Sequence, residues 1–110
     1  MQTVLISIAI PAFNEEKLLP STLAAVSEAG EAFTQLGWEM EVVVCDNNST
    51  DSTAEIAEAA KARVVFEKHN QISLARNAAG NAAKGEWIIF IDADSKPNKA
   101  LFEATAAAMD

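Results

Sequence analysis

Trp87-Ile88-Ile89-Phe90-Ile91-Asp92-Ala93-Asp94 decides how this chain is read: an apolar run of strand length stops abruptly at two carboxylates separated by one alanine. A run without polar alternation reads as a strand covered on both faces, the usual state of a central parallel strand. In open α/β sheets the ligand crevice lies beyond the carboxyl ends of such strands, so the two acids emerge where a ligand sits. Residues two apart on a strand share a face. Asp92 and Asp94 therefore point into one crevice, unless the chain turns between them. Two hard oxygen donors so placed suit Mg²⁺ or Mn²⁺ shared with substrate phosphates.

The rest of the chain repeats the same alternation. Thr3 to Ile10 is a β-branched apolar run closed by Pro11, hence a buried first strand. Pro20 suits a first helical turn, and Leu23, Val26, Gly30, Phe33 and Leu36 recur at helical spacing before Gly37. That predicts one helix from about Pro20 to Leu36. A second strand, Glu41 to Cys45, leads through a polar loop into a short helix ending near Ala60. Arg63 to Glu67 is a third strand, and Ser73 to Ala83 a third helix stopped by Gly85. After the Trp87 strand, Pro97-Asn98 opens a last helix running to about Met109. Strands alternating with helices imply parallel βαβ units: an α/β, doubly wound, Rossmann-like parallel sheet of about four strands with helices on both faces.

Bulk composition bounds the function. The chain has 110 residues, half of them apolar, which is one domain with a core. A domain this size buries only roughly 65% of its unfolded surface, so it has little stability to spare. A net charge of −8 argues against an electrostatic nucleic-acid binder, which needs a basic face. It does not argue against nucleotides, since a bound metal supplies the missing positive charge. Cys45 is the single cysteine, so no internal disulfide or cysteine-based metal cage is available, and a reducing, cytoplasmic setting is expected. No basic leader region is seen, and no apolar run approaches the ~20 residues of a membrane span.

Polar residues gather at the ends of three strands: Asn14-Glu15-Glu16, Asp46-Asn47-Asn48 and Asp92-Ala93-Asp94. Each has a bland explanation. Acids are favoured in a helix's first turn, Asp46 can cap a helix or hold a turn, and an isolated Asp-x-Asp is more often a solvated loop. Three acidic rims in one βα repeat favour a site. Neither G-x-G-x-x-G nor G-x-x-x-x-G-K-[ST] occurs, which disfavours dinucleotide and P-loop readings. Arg76 is the best cationic partner for a phosphate, although a surface arginine near a helix start is equally compatible with its position. His69, the only histidine, has no nucleophile at helical or strand spacing and reads as a loop residue without catalytic duty. Asn47-Asn48-Ser49-Thr50 matches the glycosylation sequon twice, irrelevant for a cytosolic chain. Cys45 reads as core.

Over essentially its whole length the chain resembles the family 2 glycosyltransferases of the GT-A fold. The residues that carry the resemblance are Pro11 to Glu16, Asp46 to Thr53, Ser73-Leu74-Ala75-Arg76-Asn77, and Gly85 to Asp94. Four modest motifs in the right order and spacing make it specific. The resemblance implies that Pro11, Ala12, Asn14 and Glu15 hold the nucleoside and that Asp46 contacts the base. Arg76 would lie near the nucleotide and Asp92 near the ribose, with Asp94, alongside Asp92, binding Mg²⁺ or Mn²⁺. The implied chemistry is sugar transfer from a UDP- or GDP-linked donor to an acceptor hydroxyl, the metal stabilising the departing diphosphate.

Some positions depart from the family's commonest pattern. Asn47-Asn48 replaces the frequent Asp-Gly, Ser52 stands where glycine is usual, and Ser95 follows Asp94 where a further acid is common. Asn tolerates left-handed backbone, so the turn is expected to persist. The family's domain is also longer than this chain, and its remainder carries the acceptor site and catalytic base. No residue here is assigned as that base. Residues 1–110 thus read as a shortened nucleoside-diphosphate-sugar-binding domain, the N-terminal half of a GT-A domain, expected to be inactive alone. In that half, Trp87 to Ile91 is an uncovered apolar edge, which invites a homodimer.

Three other readings compete. A non-catalytic nucleotide-binding or interaction module keeps the fold without the reaction. A nucleotidyltransferase would have a glycine-rich, basic first loop, and Pro11 to Glu16 is neither. A phospho-acceptor receiver domain needs an acidic pair after its first strand and a lysine after a later one, but Glu15 and Glu16 lie beyond a proline turn and no strand ends in lysine.

Overall fold

The computed structural model describes residues 4–109. Four strands, β1 (Leu5–Ala12), β2 (Glu39–Asp46), β3 (Arg63–Phe66) and β4 (Trp87–Phe90), form one sheet. All are parallel, in the order β3-β2-β1-β4. Five helices connect or follow them: α1 (Leu19–Ala29), α2 (Glu31–Thr34), α3 (Thr53–Ala59), α4 (Ile72–Ala82) and α5 (Lys99–Met109). The α/β, doubly wound expectation holds. Thr3, where the first strand was expected to start, lies outside the described residues. Among the described residues no helix is long and apolar enough to cross a membrane.

The two faces of the sheet follow from strand periodicity. Ile6, Ile8 and Ile10 of β1 and Val44 of β2 point to one side, where Leu19, Leu23 and Val26 of α1 and Phe102 of α5 cover them. Phe33 of α2 stacks on Phe102 at 5.1 Å between ring centroids, which ties the last helix to the first helical layer. On the other side Ala9, Val43 and Cys45 meet Ala75 and Ala79 of α4. Alanine on the helix and small residues on the strands allow this close packing. Cys45 is fully buried there, and burial, with Glu67 and Asp46 adding to it, pushes its thiol up to about 11.

Four expectations need correction. The helix predicted from Pro20 to Leu36 is broken, α1 ending at Ala29 and α2 being a separate short turn. The break falls at Gly30, where a Cβ would lie 2.6 Å from the Met40 Cε. The side chain of Met40 thus fills space that only glycine leaves open, and glycine holds a helix poorly. Gly85 does not stop α4, which ends at Ala82 with Ala83 already extended. Instead Gly85 seats against β1: its N–H donates to Ser7 Oγ at 2.8 Å, and a Cβ there would sit 2.7 Å from the Leu5 carbonyl.

β4 is an edge strand, as expected for Trp87 to Ile91 in the shortened domain, and not the strand covered on both faces that its apolar run alone implied; β1 takes the central place, buried from Ile6 to Ala12. α4 packs over β1, β2 and β3 and leaves β4 largely open. Trp87, Ile88 and Phe90 are therefore exposed. Finally, Asp92 and Asp94 do not extend the strand. β4 ends at Phe90 and the chain turns, with Ser95 N–H donating to the Asp92 carbonyl at 3.0 Å.

Candidate functional site

The sheet order reverses at β1: the chain steps outward to β2 and β3, then returns across the sheet to β4. Such a switch point leaves a crevice at the carboxyl ends of the two strands beside it. A cleft of about 310 Å³ lies there, lined by Pro11, Arg76, Phe90, Ile91, Asp92 and Ser95. The fold thus brings Pro11, Arg76 and Asp92 to one place.

The first loop is held by the second. Asn14 adopts a left-handed conformation (φ 50°), and its side-chain Oδ1 accepts the Thr50 N–H at 2.9 Å. The N–H groups of Asn14, Glu15 and Glu16 donate to Ser49 Oγ, Thr53 Oγ1 and Asp51 Oδ2 at 3.0, 2.9 and 3.2 Å. Glu16 answers through its carboxylate, which accepts the Ser52 N–H at 3.1 Å. Asp51 in turn accepts from both the N–H and the hydroxyl of Thr53. The Ser-Thr-Asp-Ser-Thr run after β2 is therefore a frame for the loop after β1. The side chain of Asn14 is spent on that frame, which makes it a scaffold for the loop.

Asp46 ends β2, largely buried, and its Oδ1 accepts the Ser49 N–H at 3.0 Å. Asn48 has φ 62°, so the turn expected of Asn at the usual glycine position is kept. Asn47 is buried and donates through Nδ2 to the carbonyls of Glu67 and His69 at 3.1 and 2.5 Å. An aspartate has no such donor, so this asparagine holds the loop after β3 in a way the commoner residue cannot. Asn70 Nδ2 returns a bond to the Asn47 carbonyl at 2.7 Å. His69 is exposed and contacts Glu67 at 3.1 Å, in keeping with a loop role.

The acids lie on the open side of this frame. Asp92 and Asp94 are exposed, while Ala93 between them is buried. The Ala93 carbonyl accepts a 2.8 Å hydrogen bond from Thr22 Oγ1 of α1, a fixing residue no motif had pointed to. Partial burial, then the negative charges of Asp94 and Asp51, raise the Glu15 carboxyl above its ordinary value. Glu15 and Asp94, from loops after β1 and β4, thus share one electrostatic neighbourhood.

Among the described residues no three His, Cys, Asp or Glu side chains converge into a metal cage. Two exposed carboxylates, Asp92 and Asp94, with Glu15 close enough to feel the charge of Asp94, suit a different kind of ion. A hard divalent cation can take one or two carboxylates and complete its shell with water and phosphate oxygens. The donor set fits Mg²⁺ or Mn²⁺ in that manner.

The family profile described as "Glycosyl transferase family 2" matches residues 7–110. The chain belongs to glycosyl transferase family 2. Similar proteins include the poly(ribitol-phosphate) β-N-acetylglucosaminyltransferase TarS of Staphylococcus aureus, 32% identical over 94% of this chain and 18% of the relative. Another is the Escherichia coli UDP-Glc:α-D-GlcNAc-diphosphoundecaprenol β-1,3-glucosyltransferase WfaP, 34% identical over 82% of this chain and 35% of the relative. The crystal structure of S. aureus TarS 1–349 superposes with a TM-score of 0.81 at 32% identity, covering 96% of this chain and 32% of that one. Glucosyl-3-phosphoglycerate synthase of Mycobacterium tuberculosis, in complex with Mn²⁺, UDP and glucosyl-3-phosphoglycerate, gives 0.76 at 26% identity, covering 96% and 39%. The chain spans about a fifth to a third of the length of these two curated relatives.

Proposed function

We propose that residues 1–110 form the donor-binding region of a glycosyltransferase, taking a nucleoside-diphosphate sugar together with Mg²⁺ or Mn²⁺. The observation that carries this reading is the cleft at the β1–β4 switch point, where Pro11, Arg76 and Asp92 meet, with Asp94 two residues beyond Asp92 and its charge felt by Glu15. Family membership and a UDP- and Mn²⁺-bound structural neighbour support it.

In this reading Pro11, Ala12, Asn14 and Glu15 form the nucleoside-facing loop. Asn14 acts through the backbone geometry it fixes. Asp46 faces the base, with its Oδ1 already held by the Ser49 N–H. Arg76 supplies positive charge in a strongly acidic chain. Asp92 and Asp94 are the residues that would hold the divalent ion, which when bound stabilises negative charge on the departing diphosphate. No residue of this chain is assigned as the catalytic base, and transfer by the chain alone is not expected. Buried Cys45 suits a reducing, cytoplasmic setting.

Calorimetric titration with UDP and with GDP, each with and without Mn²⁺, tests this on the chain and on Asp94→Ala. The reading expects metal-dependent binding of one nucleotide that Asp94→Ala abolishes. Failure of both nucleotides to bind would overturn it. Metal-independent binding untouched by Asp94→Ala would favour a non-catalytic nucleotide-binding module.

A further inference from the structure

Arg76 is the one cationic side chain lining the switch-point cleft. Among the described residues it has no carboxylate within ion-pair distance, in a chain whose net charge is −8. Its guanidinium carbon instead lies 4.7 Å from the centroid of the Phe90 ring. A guanidinium within about 6 Å of an aromatic face is held by the ring quadrupole without its charge being neutralised. The contact is seated from behind by Gly80, one helical turn after Arg76, where a Cβ would come within 3.3 Å of the Phe90 Cζ. Phe90 is the last residue of β4 and lines the cleft itself, so the ring sits on a rigid element beside the turn that carries Asp92 and Asp94.

We propose that Phe90 is a positioning residue for nucleotide binding, its ring holding the Arg76 guanidinium ready in the cleft. The inference rests on the nucleotide-binding reading above. A free arginine side chain loses considerable rotamer freedom when a ligand fixes it. The contact with Phe90 removes part of that cost before the ligand arrives and leaves the charge unneutralised. An exposed phenylalanine at a strand end is thereby given a role beyond edge packing.

The test is a double-mutant cycle on the whole chain, titrating UDP or GDP with Mn²⁺, whichever the wild type binds. Phe90→Leu is expected to weaken binding about fivefold and Phe90→Trp to restore it to within about twofold of wild type. In the Arg76→Gln background Phe90→Leu is expected to change nothing further, because the guanidinium it positions is gone. Thermal unfolding checks each variant, and Phe90→Met replaces Phe90→Leu if the latter does not fold. Wild-type affinity in Phe90→Leu, or an equal loss in the Arg76→Gln background, would overturn the proposal while leaving nucleotide binding intact. A wild-type chain that binds neither nucleotide would remove the underlying reading and this inference with it.

Discussion

Thr22 Oγ1 donates a 2.8 Å hydrogen bond to the Ala93 carbonyl, joining α1 to the middle of the Asp92-Ala93-Asp94 turn across 71 positions of sequence. Both residues are buried while the flanking carboxylates face solvent. The turn is therefore anchored from below by a neutral hydroxyl, and the acids are left open to a ligand. Thr22→Val keeps the shape but strands a buried carbonyl, which costs about 1–3 kcal/mol. Urea unfolding should show a lower midpoint, with Thr22→Ser close to wild type. Metal-dependent nucleotide binding should weaken in Thr22→Val as well.

Gly85 and Gly30 both sit against close neighbours, yet their alanine variants should differ. At Gly85 the obstructing atoms include the Leu5 carbonyl and the Ser7 amide nitrogen, at 2.7 and 2.8 Å, and backbone cannot step aside. Gly85→Ala should destabilise by about 1–3 kcal/mol by prising β4 from β1. At Gly30 the obstruction is the tip of Met40, which is flexible. Gly30→Ala should cost less, and a larger loss there than at Gly85 would contradict this account.

The Glu15 carboxyl is raised above its ordinary value by partial burial and by Asp94 and Asp51. A raised carboxylate pKa means that folding favours the protonated form. The associated stability is present below the unfolded pKa and is lost as pH rises through the folded one. Glu15→Gln should therefore be more stable than wild type at neutral pH, with the gap closing in acid. Carbon-13 titration should find the Glu15 midpoint high in wild type and lower in Asp94→Asn. An unchanged midpoint would break the link between the two loops.

Glu41 shows the opposite behaviour. Burial alone would raise it, but hydrogen bonds from Ser7 Oγ, the Lys84 N–H and Arg63 Nη2, at 2.5, 2.6 and 2.7 Å, outweigh burial and lower it. A depressed carboxylate stabilises above its unfolded pKa, and the gain is lost as pH falls through the folded one. Glu41→Gln should cost about 1–2 kcal/mol at neutral pH, a figure reduced for the partial exposure of Arg63. The difference from wild type should shrink in strong acid. Equal urea midpoints at neutral pH would refute it.

β4 pairs with β1 on one side and, among the described residues, with no strand on the other. Trp87, Ile88 and Phe90 are exposed along it. An open apolar edge is a template for strand pairing, and association with a second copy of this chain is the expected outcome in solution. Light scattering across a concentration series should show a dimer that Ile88→Lys dissociates. A monomer at every concentration would disprove it.

Strand and helix alternation was legible because periodicity is a local property, and it supplied the parallel sheet and the strand-end rim. Edge position was not legible in the run itself, since Trp87 to Ile91 reads the same whether a strand or open space lies beside it; the resemblance to a longer domain supplied that expectation, and the sheet order bears it out. Asn48 was legible as a left-handed turn residue because its chemistry is its own. Thr22 was not, since a threonine on a helix carries no mark of a carbonyl that arrives 71 residues later. Ser7 and Glu41 did carry a signal. Polar residues inside otherwise apolar strands need buried partners, and those partners are each other and the residues around Gly85.

Cys45 lies beneath α4, fully buried, with its thiol pushed up to about 11. At pH 8 the thiol is held in its unreactive protonated form, and the sheet and helix shield it from reagent. Alkylation can then proceed only when α4 lifts from β1 and β2. A single native atom thus serves as a clock for local opening, in the absence of any introduced label. Because α4 also carries Arg76, slower alkylation with nucleotide and metal would time the same motion from the ligand's side.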